Sequence, residues 1–368
     1  MRIGFDAKYY FDPPSSGRVW TREVMHRLAA GWPQHHWTWF LKNRDRARAA
    51  EIPPGHDSVF ASFGWNLLSN ALVLPRHVAR RQLDVLVTQY FAAPTATPQV
   101  AVIHDIIFEP HPELFTRRER AYLGMIKPLL RWANTVVTVS EASHEQLQQY
   151  GYLRPGQRCV VIPNGVNDRF FNEIDGKSID RVRSRYDLPA RYLLYVGRLN
   201  ARKNLPRLIE SVTRLRDQEI GLVLAGRSEG AAEDYAGFAR KLGIEHRVRF
   251  LGSVPDEDLH PLYSAATAFV YLSKREGFGL PPLEAMAAEI PVVVSNEPAL
   301  KEVGGDVPLY VNPEDGGDVV RTLDRVIENR DLRQERAALG RARARLFTWD
   351  RTVDALAKVL ESTAAAHR

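Results

Sequence analysis

One stretch constrains this chain more than any other. An apolar run, Ala268 to Tyr271, ends in a polar loop carrying Lys274, Arg275 and Glu276. Gly277, Phe278 and Gly279 follow, then Leu280, Pro281 and Pro282, then a helical pattern containing Glu284, and a second apolar run, Pro291 to Val294, closes the unit. Strand, loop, helix and strand in that order make one unit of a parallel α/β sheet. The glycine-rich loop falls at the carboxyl end of a strand and the amino end of a helix, where such sheets bind ligands. Its two glycines let a backbone approach closely, and the helix dipole with its first N–H groups favours an anion. Proline in the first helical turn loses no hydrogen bond. Glu276 and Glu284 bracket the loop. The same pattern also fits a plain βα turn with two solvated acids, so taken alone it names no ligand.

The rest of the chain repeats the alternation. Strands are expected at Arg2–Asp6, 32–41, 83–88, Gln99–Ile103, Thr135–Val139 and Cys159–Ile162, with a helix over 18–30 after the first polar loop. Residues 169–190 are mixed and charged and read as a linker. Strands near 192–196, 221–225, 248–251, 268–272, 291–294 and 308–311 then alternate with helices, and a long helical pattern runs from Trp349 to about Thr363. A chain of 368 residues suffices for two such domains.

Composition narrows the setting. Cys159 is the one cysteine, so neither an internal disulfide nor a cysteine metal cluster can form, which fits a reducing, cytoplasmic location. The opening MRIGFDAKYY reads as a β-strand rather than an apolar leader, and no run approaches the ~20 apolar residues of a membrane span. The net charge of +6 suits nucleic acid, an anionic membrane or a phosphorylated substrate, and equally a merely arginine-rich surface.

Two motifs carry a resemblance. E-G-F-G-L-P-P-L-E (276–284) resembles the E-x-F-G-x-x-x-x-E signature of the retaining glycosyltransferases of family 4, and G-R-L-N-A-R-K-N (197–204) resembles that family's G-R-L-x-x-x-K-N. I-P-N-G-V (162–166) is similar to its I-P-N-G-V-D, with the acid displaced to Asp168. The resemblance implies the GT-B fold: two Rossmann-like, doubly wound parallel-sheet domains facing a cleft, with the C-terminal helix crossing back to the first. Residues 1–168 and 349–368 would form the acceptor-binding domain, 169–190 the linker, and 191–348 the nucleotide-sugar domain.

The roles it implies are specific. Arg198 and Lys203 would neutralise the departing diphosphate, so the expected cofactor and metal count is none. Glu284 would accept hydrogen bonds from both ribose hydroxyls, which suits a carboxylate. Glu276 would touch the transferred sugar, with the backbone of Gly277, Phe278, Gly279 and Leu280 completing that contact. The base would lie against Arg249, Phe250 and Val254. His104 would stand near the reactive face of the sugar. Gly17 would reach the donor phosphate, although Ser15-Ser16-Gly17-Arg18 departs from the family's glycine-rich loop here. Arg18, Asp105 and Ser140 are acceptor-side candidates. Asp256-Glu257-Asp258 satisfies a D-x-D metal pattern, but acids are expected at a helix start.

The segment VIHDIIFEPHPELF (102–115) resembles bacterial mannosyltransferases of surface polysaccharide synthesis, which makes GDP-mannose the first expectation for donor, UDP-sugars being the alternative. The acceptor would be a saccharide or lipid-linked saccharide, and transfer would follow the metal-independent front-face route. Residues 117–131, with Arg76, Arg80 and Arg81, would meet an anionic membrane at its inner face, or else be ordinary solvated helix faces. A GT-B epimerase of UDP-sugars and a non-enzymatic binder of anionic ligands or nucleic acid compete with this reading. The basic residues are scattered, without aromatic-interleaved RNA motifs, which argues against nucleic acid. Oligomeric state leaves no mark in the sequence.

Overall fold

The computed structural model describes residues 1–13, 15–62, 66–228 and 234–367. They divide into two compact units, Met1–Gly165 with Trp349–Arg368, and Val166–Thr348.

The first unit is a seven-stranded parallel sheet: β1 (Arg2–Asp6), β2 (His36–Lys42), β3 (Asp57–Ser62), β4 (Val85–Gln89), β5 (Gln99–Ile103), β6 (Thr135–Thr138) and β7 (Arg158–Val161). Every residue of β4, β5 and β6 is buried, as expected of strands covered on both faces by helices. The order β3-β2-β1-β4-β5-β6-β7 reverses between β1 and β4. Helix Ser16–Gly31 starts where the Ser15 hydroxyl accepts the Arg18 N–H. Helix Trp349–Ala365 packs on it and on β4 and β5. Trp349, Val353, Leu356, Val359 and Leu360 are buried there, and Thr352 and Thr363 hydrogen-bond Pro163 and Thr135. The C-terminal helix therefore belongs to the first unit. Strand β3 and the helical stretch from Asn66 to Arg81 were not anticipated, because their apolar residues are interrupted by polar ones.

The second unit is a six-stranded parallel sheet: β8 (Tyr192–Val196), β9 (Gly221–Ala225), β10 (Val248–Gly252), β11 (Ala268–Tyr271), β12 (Val292–Ser295) and β13 (Leu309–Val311). Its order, β10-β9-β8-β11-β12-β13, reverses between β8 and β11. Residues 169–190, read above as a linker, hold helix Gly176–Arg185 and belong to this unit. Asp258 explains why. It is fully buried, and its carboxylate meets Arg181 at 3.0 Å, Arg185 at 2.8 Å and the Tyr186 hydroxyl at 2.7 Å. It thus fastens the incoming helix to helix Asp256–Ser264, a stronger reason for an acid here than helix capping. Among the described residues no helix is long and apolar enough to cross a membrane.

Candidate functional site

In an open α/β sheet the crevice for a ligand opens where the strand order reverses, beyond the carboxyl ends of the two strands that part there. In the second unit those strands are β8 and β11, and the two sequence motifs follow them. Asn204 takes a left-handed conformation (φ 54°) that ends the turn Ala201–Lys203 and starts helix Leu205–Thr213. This bend turns the Lys203 side chain inward, where it is only 5% exposed. Its Nζ donates to Glu276 Oε1 and to the Tyr271 hydroxyl, each at 2.5 Å. Arg202 Nη1 lies 3.9 Å from Glu276 Oε2 and donates to the Arg275 carbonyl, while Lys274 N–H donates to the Arg202 carbonyl at 2.9 Å. The two motif loops are thereby laced together.

Burial alone would push the Glu276 carboxyl up. The charges of Lys203 and Arg202 and the Lys203 hydrogen bond outweigh it and hold the group at about 2. Burial and Arg202 draw the Lys203 ammonium down to about 8 against the pull of Glu276. Arg198, exposed at the mouth, adds a third cation that Lys203 feels. Two cations hold one carboxylate and a third acts on Lys203, so positive charge is in excess and the locus attracts an anion.

The strand ends beside it are built for close approach. Gly226 (φ 152°) donates to the Gly252 carbonyl, and a Cβ on Gly226 would come within 1.7 Å of the Gly197 oxygen. β8, β9 and β10 thus end in a floor of bare backbone, with Arg227 exposed next to Gly226. Gly279 (φ 106°) opens helix Leu280–Ala287, where a Cβ would strike Leu300 at 2.5 Å. One turn on, Glu284 is partly buried and accepts from the Tyr263 hydroxyl at 3.0 Å; burial raises its carboxyl to about 7. Gly277, Phe278 and Leu280 are buried in the same loop, Phe278 edge-on to Phe347. Behind it Glu297 caps helix Pro298–Gly304, and burial raises that carboxyl to about 7 as well.

The first unit has its own reversal between β1 and β4. Asp6, closing β1, pairs with the buried Lys8 at 2.5 Å, and Asn70 bonds both. Gln89 closes β4, and Tyr90 follows in a left-handed conformation (φ 62°), a strained state for a tyrosine. His104, after β5, sits with its ring 5.4 Å from Trp20 and 5.5 Å from Tyr90, and burial pushes it down to about 4. Gly17 lies in the first turn of helix Ser16–Gly31, with Tyr9 3.7 Å from where a Cβ would stand.

The sequence candidates therefore divide. Arg198, Lys203, Glu276, Gly277, Phe278, Gly279, Leu280 and Glu284 gather at the reversal of the second sheet, and Val254 follows the end of β10. Arg249 does not join them. Its guanidinium is turned the other way, onto the Asp187 carbonyl at 3.3 Å and the His246 carbonyl at 3.1 Å, ahead of the sheet's amino edge. Phe250 lies mid-strand, 36% exposed. His104, Gly17, Arg18 and Asp105 lie at carboxyl ends of the first sheet; Asp105 closes a turn onto Ile107 N–H. Ser140, after β6, is fully buried and caps helix Glu141–Gln149. Sequence reading missed Arg202, Tyr271, Tyr263, Arg227, Lys8 and Gln89. Arg202 stands inside the G-R-L-N-A-R-K-N motif at a position the pattern leaves open. A polar residue closing an otherwise apolar strand was the available signal for Gln89.

The chain matches "Glycosyl transferases group 1" over residues 177–343 and "Glycosyltransferase Family 4" over 19–170. It is 33% identical over 261 residues to O-antigen chain mannosyltransferase B of Escherichia coli, covering 68% of this chain and 67% of that one. It is 26% identical to the serotype-specific mannosyltransferase WbdA of Escherichia coli over 72% of this chain, but spans only 34% of WbdA. Among solved structures, a sucrose-phosphate synthase from Thermosynechococcus elongatus superposes with a TM-score of 0.82 at 20% identity over 100% of both chains. The fold is GT-B.

Proposed function

The chain belongs to the glycosyltransferases of group 1 and family 4, and from that premise we propose that it moves a mannosyl residue from GDP-mannose to a hydroxyl of a saccharide or lipid-linked saccharide, with retention of configuration. The observation that carries the reading is the Lys203–Glu276 pair, closed at 2.5 Å at the reversal of the second sheet. A diphosphate leaving group gathers negative charge as the glycosidic bond breaks, and Lys203, Arg202 and Arg198 are fixed positive charges there. The protein charges take the place of a cation, so the transfer needs no metal. Glu276, kept ionised by the same cations, accepts hydrogen bonds from hydroxyls of the departing sugar. The Glu284 carboxylate holds the ribose diol, with Tyr263 fixing its other contact. With no nucleophile required, the departing phosphate oxygen takes the acceptor proton. The mannosyl donor rests on the similarity to mannosyltransferase B.

The test is a thermal-shift panel of GDP, UDP, GDP-mannose and UDP-glucose in EDTA, since a ligand of the native state raises Tm. GDP and GDP-mannose are expected to stabilise the protein, by about 2.7 kcal/mol at a hundredfold excess over Kd. A shift with UDP alone moves the donor to a UDP-sugar. Stabilisation that needs a divalent ion overturns the metal-free mechanism.

A further inference from the structure

His104 is held by a hydrogen-bond chain whose direction can be read without ambiguity. Gln89 Nε2 lies 3.1 Å from the Asp6 carbonyl. A carbonyl only accepts, so the amide nitrogen must face it and the amide oxygen must face the other way. That oxygen lies 3.3 Å from His104 Nε2. Facing an acceptor, Nε2 must carry the ring proton. The same Gln89 nitrogen lies 2.9 Å from Thr21 Oγ1, whose own proton goes to the Gly17 carbonyl at 2.7 Å. The chain therefore runs from His104 to Gln89 to Thr21 to Gly17, every donor assigned.

We propose that Gln89 is a positioning residue for transfer: it locks His104 as the Nε2–H tautomer and ties that ring to the Gly17 loop. Gln89 is placed for this by topology, since it closes β4 at the strand reversal of the first sheet while Thr21 comes from helix Ser16–Gly31. The locked ring keeps a lone pair, not a proton, on Nδ1, so it receives a hydroxyl rather than offering a hydrogen bond. The His104 carbonyl is fixed in turn by Ser143 Oγ, 3.3 Å away. Trp20 and Tyr90 wall the ring on two sides, and the low imidazole affinity for protons that burial imposes keeps it neutral. The proposal rests on the reading of His104 as part of the transfer site.

Histidine-labelled protein, full length, decides it by two-bond nitrogen–proton NMR at pH 7, with His104→Ala identifying the resonances. The parent is expected to show His104 as a single Nε2–H tautomer. Gln89→Leu and Gln89→Met, which keep bulk and remove the acceptor, are expected to give mixed tautomers. They should also lower kcat for GDP release from GDP-mannose about tenfold, because a misplaced group at the reacting centre loses rate, with donor KM changed less than about twofold. Thr21→Val keeps the test alive if the Gln89 variants fail to fold, and is expected to shift the His104 nitrogens in the same direction. An Nδ1–H tautomer or an imidazolium in the parent overturns the proposal, as do unchanged ring nitrogens in the variants. Parent-level kcat in His104→Ala strikes instead at the reading of His104, whatever the tautomer.

Discussion

Glu276 and Glu284 stand one loop apart in opposite environments. Cations hold Glu276 ionised at about 2, whereas burial lifts Glu284 to about 7. They should fail differently. Glu284→Gln removes a contact made before and during reaction, so donor KM is expected to rise with kcat little changed. Loss of one charge-assisted bond is worth about 1.5–3 kcal/mol. Glu276→Gln is expected to lower kcat while GDP binding holds, because Lys203, freed of its partner, still attracts the diphosphate. Near-parent kinetics for both would remove this loop from the site. pH adds a second signature. The Glu284 group binds its proton below about 7 and releases it above, and only the ionised form accepts two hydroxyl protons. Parent GDP affinity measured by calorimetry is therefore expected to gain with pH through about 7. Glu284→Gln should lack that increment, keeping only what the nucleotide phosphate contributes.

At the scale of elements, the candidate site residues lie on loops after strands, while one pair of helical segments carries an exposed apolar and basic surface. Asn66 to Arg81 exposes Leu68 (44%) and Leu72 (54%), and the adjoining segment 117–132 exposes Met125 and Trp132. Leu67 and Tyr122 join the two in one core cluster. Arg76, Arg80, Arg117, Arg118 and Arg120 are exposed on the same segments. Apolar side chains rimmed by arginine suit an anionic lipid surface, each charge adding about 1 kcal/mol at low salt. Flotation with vesicles containing phosphatidylglycerol is expected to carry the protein up, and neutral phosphatidylcholine vesicles much less. Leu68→Ser with Leu72→Ser should weaken it. Equal flotation on both lipids, or none, counts against membrane docking.

For the whole molecule, the C-terminal helix is an element the first unit takes from the far end of the chain. It brings Trp349, Val353, Leu356, Val359 and Leu360 into that unit's core. Each large buried apolar side chain contributes about 1.5–3 kcal/mol, so together they match the ~5–15 kcal/mol by which a domain is stable. A chain ending at residue 348 is expected to lose the cooperative melting of the first unit while the Val166–Thr348 unit keeps its own transition. Two intact transitions by calorimetry would show the helix to be dispensable.

The sequence by itself determined the layers and much of the second unit's site. Short, mainly apolar runs such as VLVTQ and QVAVI, rich in β-branched residues and flanked by turn residues, fit strands covered on both faces, and glycine and proline punctuate the loops where φ and hydrogen bonding demand them. The two motifs lie close to the strands they follow, so local order alone carried Lys203 and Glu276 to strand ends. That these ends are neighbours was decided by strand order, which depends on long-range pairing of β8 with β11 that no local pattern encodes. The same holds for Gln89 and His104, adjacent only because β4 pairs with β5. Arg249 shows the converse: its strand was anticipated, but the direction of its side chain is set by Asp187, which packing brings to it. Alternation and punctuation are properties of neighbouring residues. Which charge meets which, and what burial then does to its proton, is a property of the folded sheet.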